Sequence, residues 1–155
     1  MINNLEEDLD KFIDKVAPNA FALSYSLIPD ELQSRQIVYD SFSILFLENK
    51  DRFQSVLKSN EYQFFLENND WQLGVYKTVY DTGVKRFDHI KETIDFTELA
   101  PYTKFYEFLE VSERGIIFLK HKGHFKLSEI SYITNIPLLK VISNIYRIRL
   151  KLLDF

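Results

Sequence analysis

The residues able to do chemistry are few, and their spacing narrows what this chain can be. His121 and His124 stand three apart in Lys-His-Lys-Gly-His, which could set two imidazoles on one side of a turn. A metal needs a completed ligand set, and no cysteine or carboxylate group completes this one. Cysteine is absent altogether, which removes thiol nucleophiles, thiolate metal sites and disulfides together and fits a reducing compartment. His89 has no obvious nucleophile beside it, no glycine-rich phosphate loop occurs, and the Glu and Asp runs read as solvated helix faces. The expectation is a protein without catalysis, metal or cofactor.

Charge carries more information. From Ser112 to Phe155 eight Lys and Arg face three acids, a surplus of five, so the rest of the chain holds −9 of the overall −4. An acidic front and a basic tail predict two surfaces with two kinds of partner. The cations of the tail include Lys140, Arg147 and Arg149, interleaved with Ser143, Asn144 and Tyr146. Earlier in the chain, Lys77, Lys85 and Arg86 stand among Trp71, Tyr76 and Tyr80, aromatics on a predicted helix that have a ready packing explanation in a core.

These residues need elements to position them, and the apolar spacing supplies helices. Fourteen Phe and nine Tyr with only four Gly and four Pro favour long regular elements over a turn-rich β-fold. Leu5, Leu9, Phe12, Ile13 and Val16 predict a helix over 4–16, stopped by Pro18, with a second over 19–27. Asp30 with Gln33 three residues on resembles a capping box that opens a long helix to about Leu47, carrying Leu32, Ile37, Val38, Phe42, Leu45 and Phe46. Residues 51–67 repeat the pattern, and 68–70 read as a turn. A helix over 71–90 follows, with Gly74 and Gly83 as weak points in its interior. The acids, Thr and proline of 92–101 predict a linker. Beyond it lie a helix from Thr103, another over 112–122, a turn at Gly123-His124, and two helices separated by Thr134-Asn135, with Pro137 in the first turn of the last.

The closing pair, Leu127-Ser-Glu-Ile-Ser-Tyr-Ile133 and then Ile136 to Arg149, has the layout of a helix-turn-helix, with Ile130, Ile133, Ile136, Val141 and Ile145 spaced to meet beneath the crossing. By spacing alone it could equally be a plain helical hairpin.

Leu109–Leu153 resembles the carboxy-terminal domain of small bacterial sigma factors of the extracytoplasmic-function type. The likeness rests on Leu109, on Arg114, on Glu129-Ile130-Ser131, and on Val141, Ser143, Arg147 and Arg149. Ala22–Asp30, Ser34–Phe42 and Leu45 resemble the same family's first conserved lobe. The resemblance implies an all-α protein with a lobe over 1–91, a linker over 92–102 and a helix-turn-helix lobe over 103–155. It implies that Gln36, Tyr39 and Asp40 face the RNA polymerase core. It also implies that Trp71, Tyr76 and Tyr80 stack on bases of the downstream promoter element beside Lys77, Lys85 and Arg86, and that Lys140, Ser143, Asn144, Tyr146, Arg147 and Arg149 dock promoter DNA upstream. An anti-sigma or other protein partner is a further implied possibility. The chain departs from the family at Leu139-Lys140, Ile142 and Asn144, where small or polar residues are usual. Apolar Leu138, Leu139 and Ile142 therefore favour a rival expectation, a protein-binding module of the same ancestry. The amino terminus MINNLEEDLDKF, acidic and amphipathic, and the want of a membrane-spanning run predict a soluble cytoplasmic protein with no membrane partner.

Overall fold

The computed structural model describes residues 2–49, 51, 69–96 and 103–153, with side chains from Ile13 onward except at Asn69 and Asp70. Among the described residues the protein is all-helical, without a strand. The helices are α1 (Ile2–Leu27), α2 (Glu31–Glu48), α3 (Asn69–Ile90), α4 (Thr103–Phe108), α5 (Val111–His121), α6 (Leu127–Thr134) and α7 (Leu138–Leu153), with a 3₁₀ turn at Lys91–Thr93. No described helix is long and apolar enough to cross a membrane. The predicted helix over 51–67 lies outside the described residues, apart from Asp51 at its edge.

Two boundaries differ from expectation. Pro18 lies inside α1 and does not end it. An interior proline costs about 3 kcal/mol through its missing amide and ring clash. Burial of Val16, Ala20, Leu23 and Leu27 along one face offsets that cost, since tertiary packing sets most helical stability. Asn69 and Asp70, read as a turn, are the first residues of α3. Asp30 does cap α2, its carboxylate accepting from the Gln33 amide at 2.8 Å. The Gln33 side chain accepts from Arg86 on α3 at 3.0 Å, so it ties two helices together.

Helix α1 packs on α2, α3 and α5, and α3 packs on both α2 and α6. The apolar core therefore runs without interruption across the division at 92–102, from Val16 and Leu23 through Val75 and Val79 to Ile116, Ile130 and Ile148. Leu27 sits at the meeting of α1, α3 and α5. A Cβ at Gly83 would lie 2.7 Å from its Cδ1, and one at Gly115 would lie 3.2 Å from its Cδ2. Those two positions accept hydrogen because the helices approach so closely there.

Helices α5, α6 and α7 each touch the other two. Glu113 and Glu129 hold the first turns of α5 and α6 in the same way, each accepting from the amide three residues before it, Glu110 and Lys126, at 2.9 Å. The turn before α6 places His124 at φ 55°, and the turn before α7 places Asn135 at φ 57°. Asn is among the residues that tolerate this left-handed region best. Around Asn135 the Ser131 hydroxyl donates to the Ile136 carbonyl at 2.6 Å and the Ile136 amide donates to the Thr134 hydroxyl at 3.3 Å. Val141, Ile145 and Ile148 then face the core, and Pro137 precedes α7 with its carbonyl accepting from Lys140 and Val141.

Candidate interaction face on the last helix

The two cationic groups singled out from the sequence meet different fates. On α3, Trp71, Tyr76 and Tyr80 are buried and belong to the core. Tyr76 packs edge-on against Phe125 of the α5–α6 turn, with ring centroids 5.0 Å apart. Burial pushes the Tyr80 hydroxyl up to about 12, with the Asp81 charge adding to it, and burial raises Tyr76 as well, opposed by a hydrogen bond with Asn19. A ring that stacks on a base must have a free face, so the stacking role expected of these three is not available in this fold. With Val75 and Val79 between them they marked one helix face, and that face turned inward.

The nearby cations divide. Lys77 donates to the Tyr132 carbonyl at 3.1 Å and lies 5.3 Å from the centre of that residue's ring, so it bridges α3 and α6. Arg86 bonds Gln33 and pairs with Asp40 at 3.3 Å, which makes it an internal strut between α3 and α2. Lys85 is exposed. Of the residues expected to face polymerase, Tyr39 and Gln36 are exposed, and Asp40 is half-buried and held by Gln36 at 2.9 Å and by Arg86. A surface made by Tyr39 and Gln36 remains, with Asp40 largely spoken for by its own chain.

On α7 the candidates separate by helical position. Asn144 is buried, its side-chain oxygen accepting from Arg147 at 2.8 Å, so it cannot reach a base edge from this position. Arg147 is half-exposed and pairs with Glu113 at 3.4 Å, alongside Lys151, which reaches the same carboxylate at 2.7 Å. Burial pushes the Glu113 carboxyl up, but the Lys151 hydrogen bond, the Glu110 amide and the charges of Lys151 and Arg147 together hold it below the usual range. Lys140, Ser143, Tyr146 and Arg149 are exposed, with the Arg149 guanidinium 6.0 Å from the centre of the Tyr146 ring.

The outward side of α7 is more apolar than cationic. Leu139, Tyr146, Leu150 and Leu153 are 81%, 62%, 64% and 77% exposed. With Ser143 they recur at steps of four, three, four and three, the spacing of a heptad seam. A second stripe of Val141, Ile145 and Ile148 is buried on the opposite side. Leu150 and Leu153 were not singled out in the sequence, because the inward stripe follows the same period and accounts for apolar residues in a packed helix.

The residue whose role was least visible beforehand is Arg114. Its side chain is 1% exposed. Nε donates to the Ser26 carbonyl at 2.9 Å, Nη2 to Leu27 at 2.7 Å, and Nη1 to Leu109 and Tyr106 at 2.7 and 3.2 Å. The guanidinium also lies 5.0 Å from the centre of the Phe87 ring and 5.4 Å from that of Tyr106. The last carbonyls of a helix lack intrahelical donors and carry the negative end of its dipole, so a cation there answers both needs for α1. Burial lowers its pKa to about 10, opposed by Tyr106 and Glu113, and it stays charged at neutral pH.

No protein-family model matches this sequence, and no curated protein is detectably similar to it.

Proposed function

We propose that this chain is a non-catalytic protein-interaction module on a sigma-like helical plan, gripping its partner through the outward face of α7. The observation that carries this reading is the exposed stripe of Leu139, Tyr146, Leu150 and Leu153 on a helix whose other side is already satisfied by the core. An apolar row of this length is costly to leave in water, and contiguous exposed apolar surface marks interaction sites. Buried Asn144 and the struts made by Arg147 and Arg86 subtract from the groups that would serve DNA.

One observation favours a second reading, a sigma-like factor that brings the RNA polymerase core to promoter DNA. Lys140, Ser143 and Arg149 are exposed on a helix that follows a tight turn, while Tyr39 and Gln36 are exposed on α2. Capture from the protein's own cell extract separates the two. The interaction reading expects a retained partner that resists salt and is lost in Leu139→Asp, with the variant melting like the parent. Retention of DNA or heparin that falls steeply with salt, weakens in Lys140→Ala with Arg149→Ala, and ignores Leu139→Asp would replace it with the promoter reading.

A further inference from the structure

We infer that the occupant of the α7 face is an acidic amphipathic helix, a deepening that rests on the interaction reading above. At 100° per residue Leu139, Ser143, Tyr146, Leu150 and Leu153 fall within an arc of about 80°. Lys140 flanks that arc on one side, next to an Arg147 already paired with Glu113, and Arg149 flanks it on the other. From Leu139 to Leu153 the seam is about 21 Å long at 1.5 Å per residue, enough for two heptads of a partner helix. The width suits one helix laid along it, since a heptad seam is narrower than the apolar face of a core helix.

Charge then selects which helix. Residues beside a heptad seam choose partner and orientation through opposite charge. Here the flanks are cationic on both sides, with Lys140 free of ion pairs among the described residues, and α7 itself contains no acid. A partner with Leu or Ile along its seam and Glu or Asp beside it meets the apolar row and neutralises both flanks. A second copy of α7 meets the first condition but not the second, because it has no acid to set beside Lys140 and Arg149. An anionic bilayer would satisfy the cations but reach only this one shallow row, since Val141, Ile145 and Ile148 are committed to the core. The apolar row supplies affinity, and the cations supply choice of partner, because exposed ion pairs contribute little energy each.

The test uses the full chain and two synthetic peptides about three heptads long, both with Leu on the seam, one flanked by Glu and the other by Lys. Binding is followed by fluorescence anisotropy. The Glu-flanked peptide should bind about tenfold or more tightly than its Lys-flanked counterpart. Leu150→Asp should abolish the binding, and Leu139→Asp repeats the test should Leu150→Asp melt early. Arg149→Glu with Lys140→Glu should reverse the preference between the peptides. Equal binding of both peptides, or no binding of the Glu-flanked one, overturns the acidic partner. The interaction reading survives either result if Leu139→Asp still loses the partner captured from extract. A Leu150-dependent dimer seen by light scattering would assign the face to a second copy. Leu150-dependent binding to phosphatidylserine vesicles or to duplex DNA, in place of the peptide, would assign it to those surfaces. Each of these three outcomes sinks the inference.

Discussion

Arg114 and Arg149 lie on neighbouring helices of the same three-helix unit, and they show how one residue type does two jobs. Arg114 is enclosed between α1, α3 and α4, its guanidinium shared among four carbonyls and two aromatic rings. Arg149 is exposed over Tyr146 on a face that none of the described residues covers. The first cation is structural because four of its five N–H donors are spent on the chain's own carbonyls. The second is available because none is. Positive charge in the sequence of α5–α7 therefore overstates the charge that a partner can meet, and the difference is set by which cations the fold consumes.

The sharpest way to break this comparison is to remove the buried cation. Arg114→Ala would leave the carbonyls of Ser26, Leu27, Tyr106 and Leu109 without their donor in a dry site. Deleting one partner of a buried charged network costs about 3–5 kcal/mol. We expect a loss of that order in urea unfolding, large enough to threaten folding of so small a protein. Arg114→Lys should recover only part, because an ammonium cannot span four acceptors in a planar fork. A loss below about 1 kcal/mol for Arg114→Ala would mean that the junction does not depend on it.

Glu113 tests the consumed cations from the other side. Its enclosed carboxylate holds Lys151, Arg147 and the Glu110 amide, and Glu113→Gln should cost about 1.5–3 kcal/mol at neutral pH, as for hydrogen bonds to charged groups. The folded-state pKa is lowered, so this contribution is fully present above the ordinary glutamate range and is lost as pH falls through the folded value. Parent and variant should therefore converge in stability under acid. A gap that stays constant down to acid unfolding would show that the charge of Glu113 is not what matters.

Much of the fold was legible in advance. Periodicity alone placed α2, α3, α5, α6 and α7, and Asp30 marked the start of α2 by a cap that the structure contains. Pro18 misled because a local rule about backbone amides says nothing of the burial waiting at Ala20, Leu23 and Leu27. The site was harder to see for a related reason. A seam at three and four looks the same whether it faces the core, as Val141, Ile145 and Ile148 do, or faces water, as Tyr146, Leu150 and Leu153 do. Which face turns inward is decided by neighbours distant in sequence, and the pairing of Arg114 with Ser26 across 88 residues has no local signature.

An exposed group with a single internal hydrogen bond calibrates the scale between the two arginines. Asp30 caps α2 through one hydrogen bond at an exposed corner. Asp30→Ala should cost about 1 kcal/mol, as for other N-cap residues. Asp30→Asn should cost only a fraction of that, since its side-chain oxygen can accept the same amide. If the alanine variant loses as much as Arg114→Ala, exposure does not order these contributions.

At the far end, Arg149→Ala and Leu139→Asp should each change stability by less than about 0.5 kcal/mol, because neither removes a contact that the core needs. For Leu139→Asp the sign is informative. Its side chain is among the most exposed of the large apolar residues, so an acid there relieves unfavourable hydration and adds a negative charge beside Lys140. Both effects oppose destabilisation. A loss of more than about 1 kcal/mol would mean that Leu139 is packed in solution, and therefore that the face is already covered, by a second copy or by the chain itself. Measuring that loss at two protein concentrations tells these apart, since only a dimer's stability depends on concentration. A neutral Leu139→Asp leaves the α7 row open to water, the condition every partner for it requires.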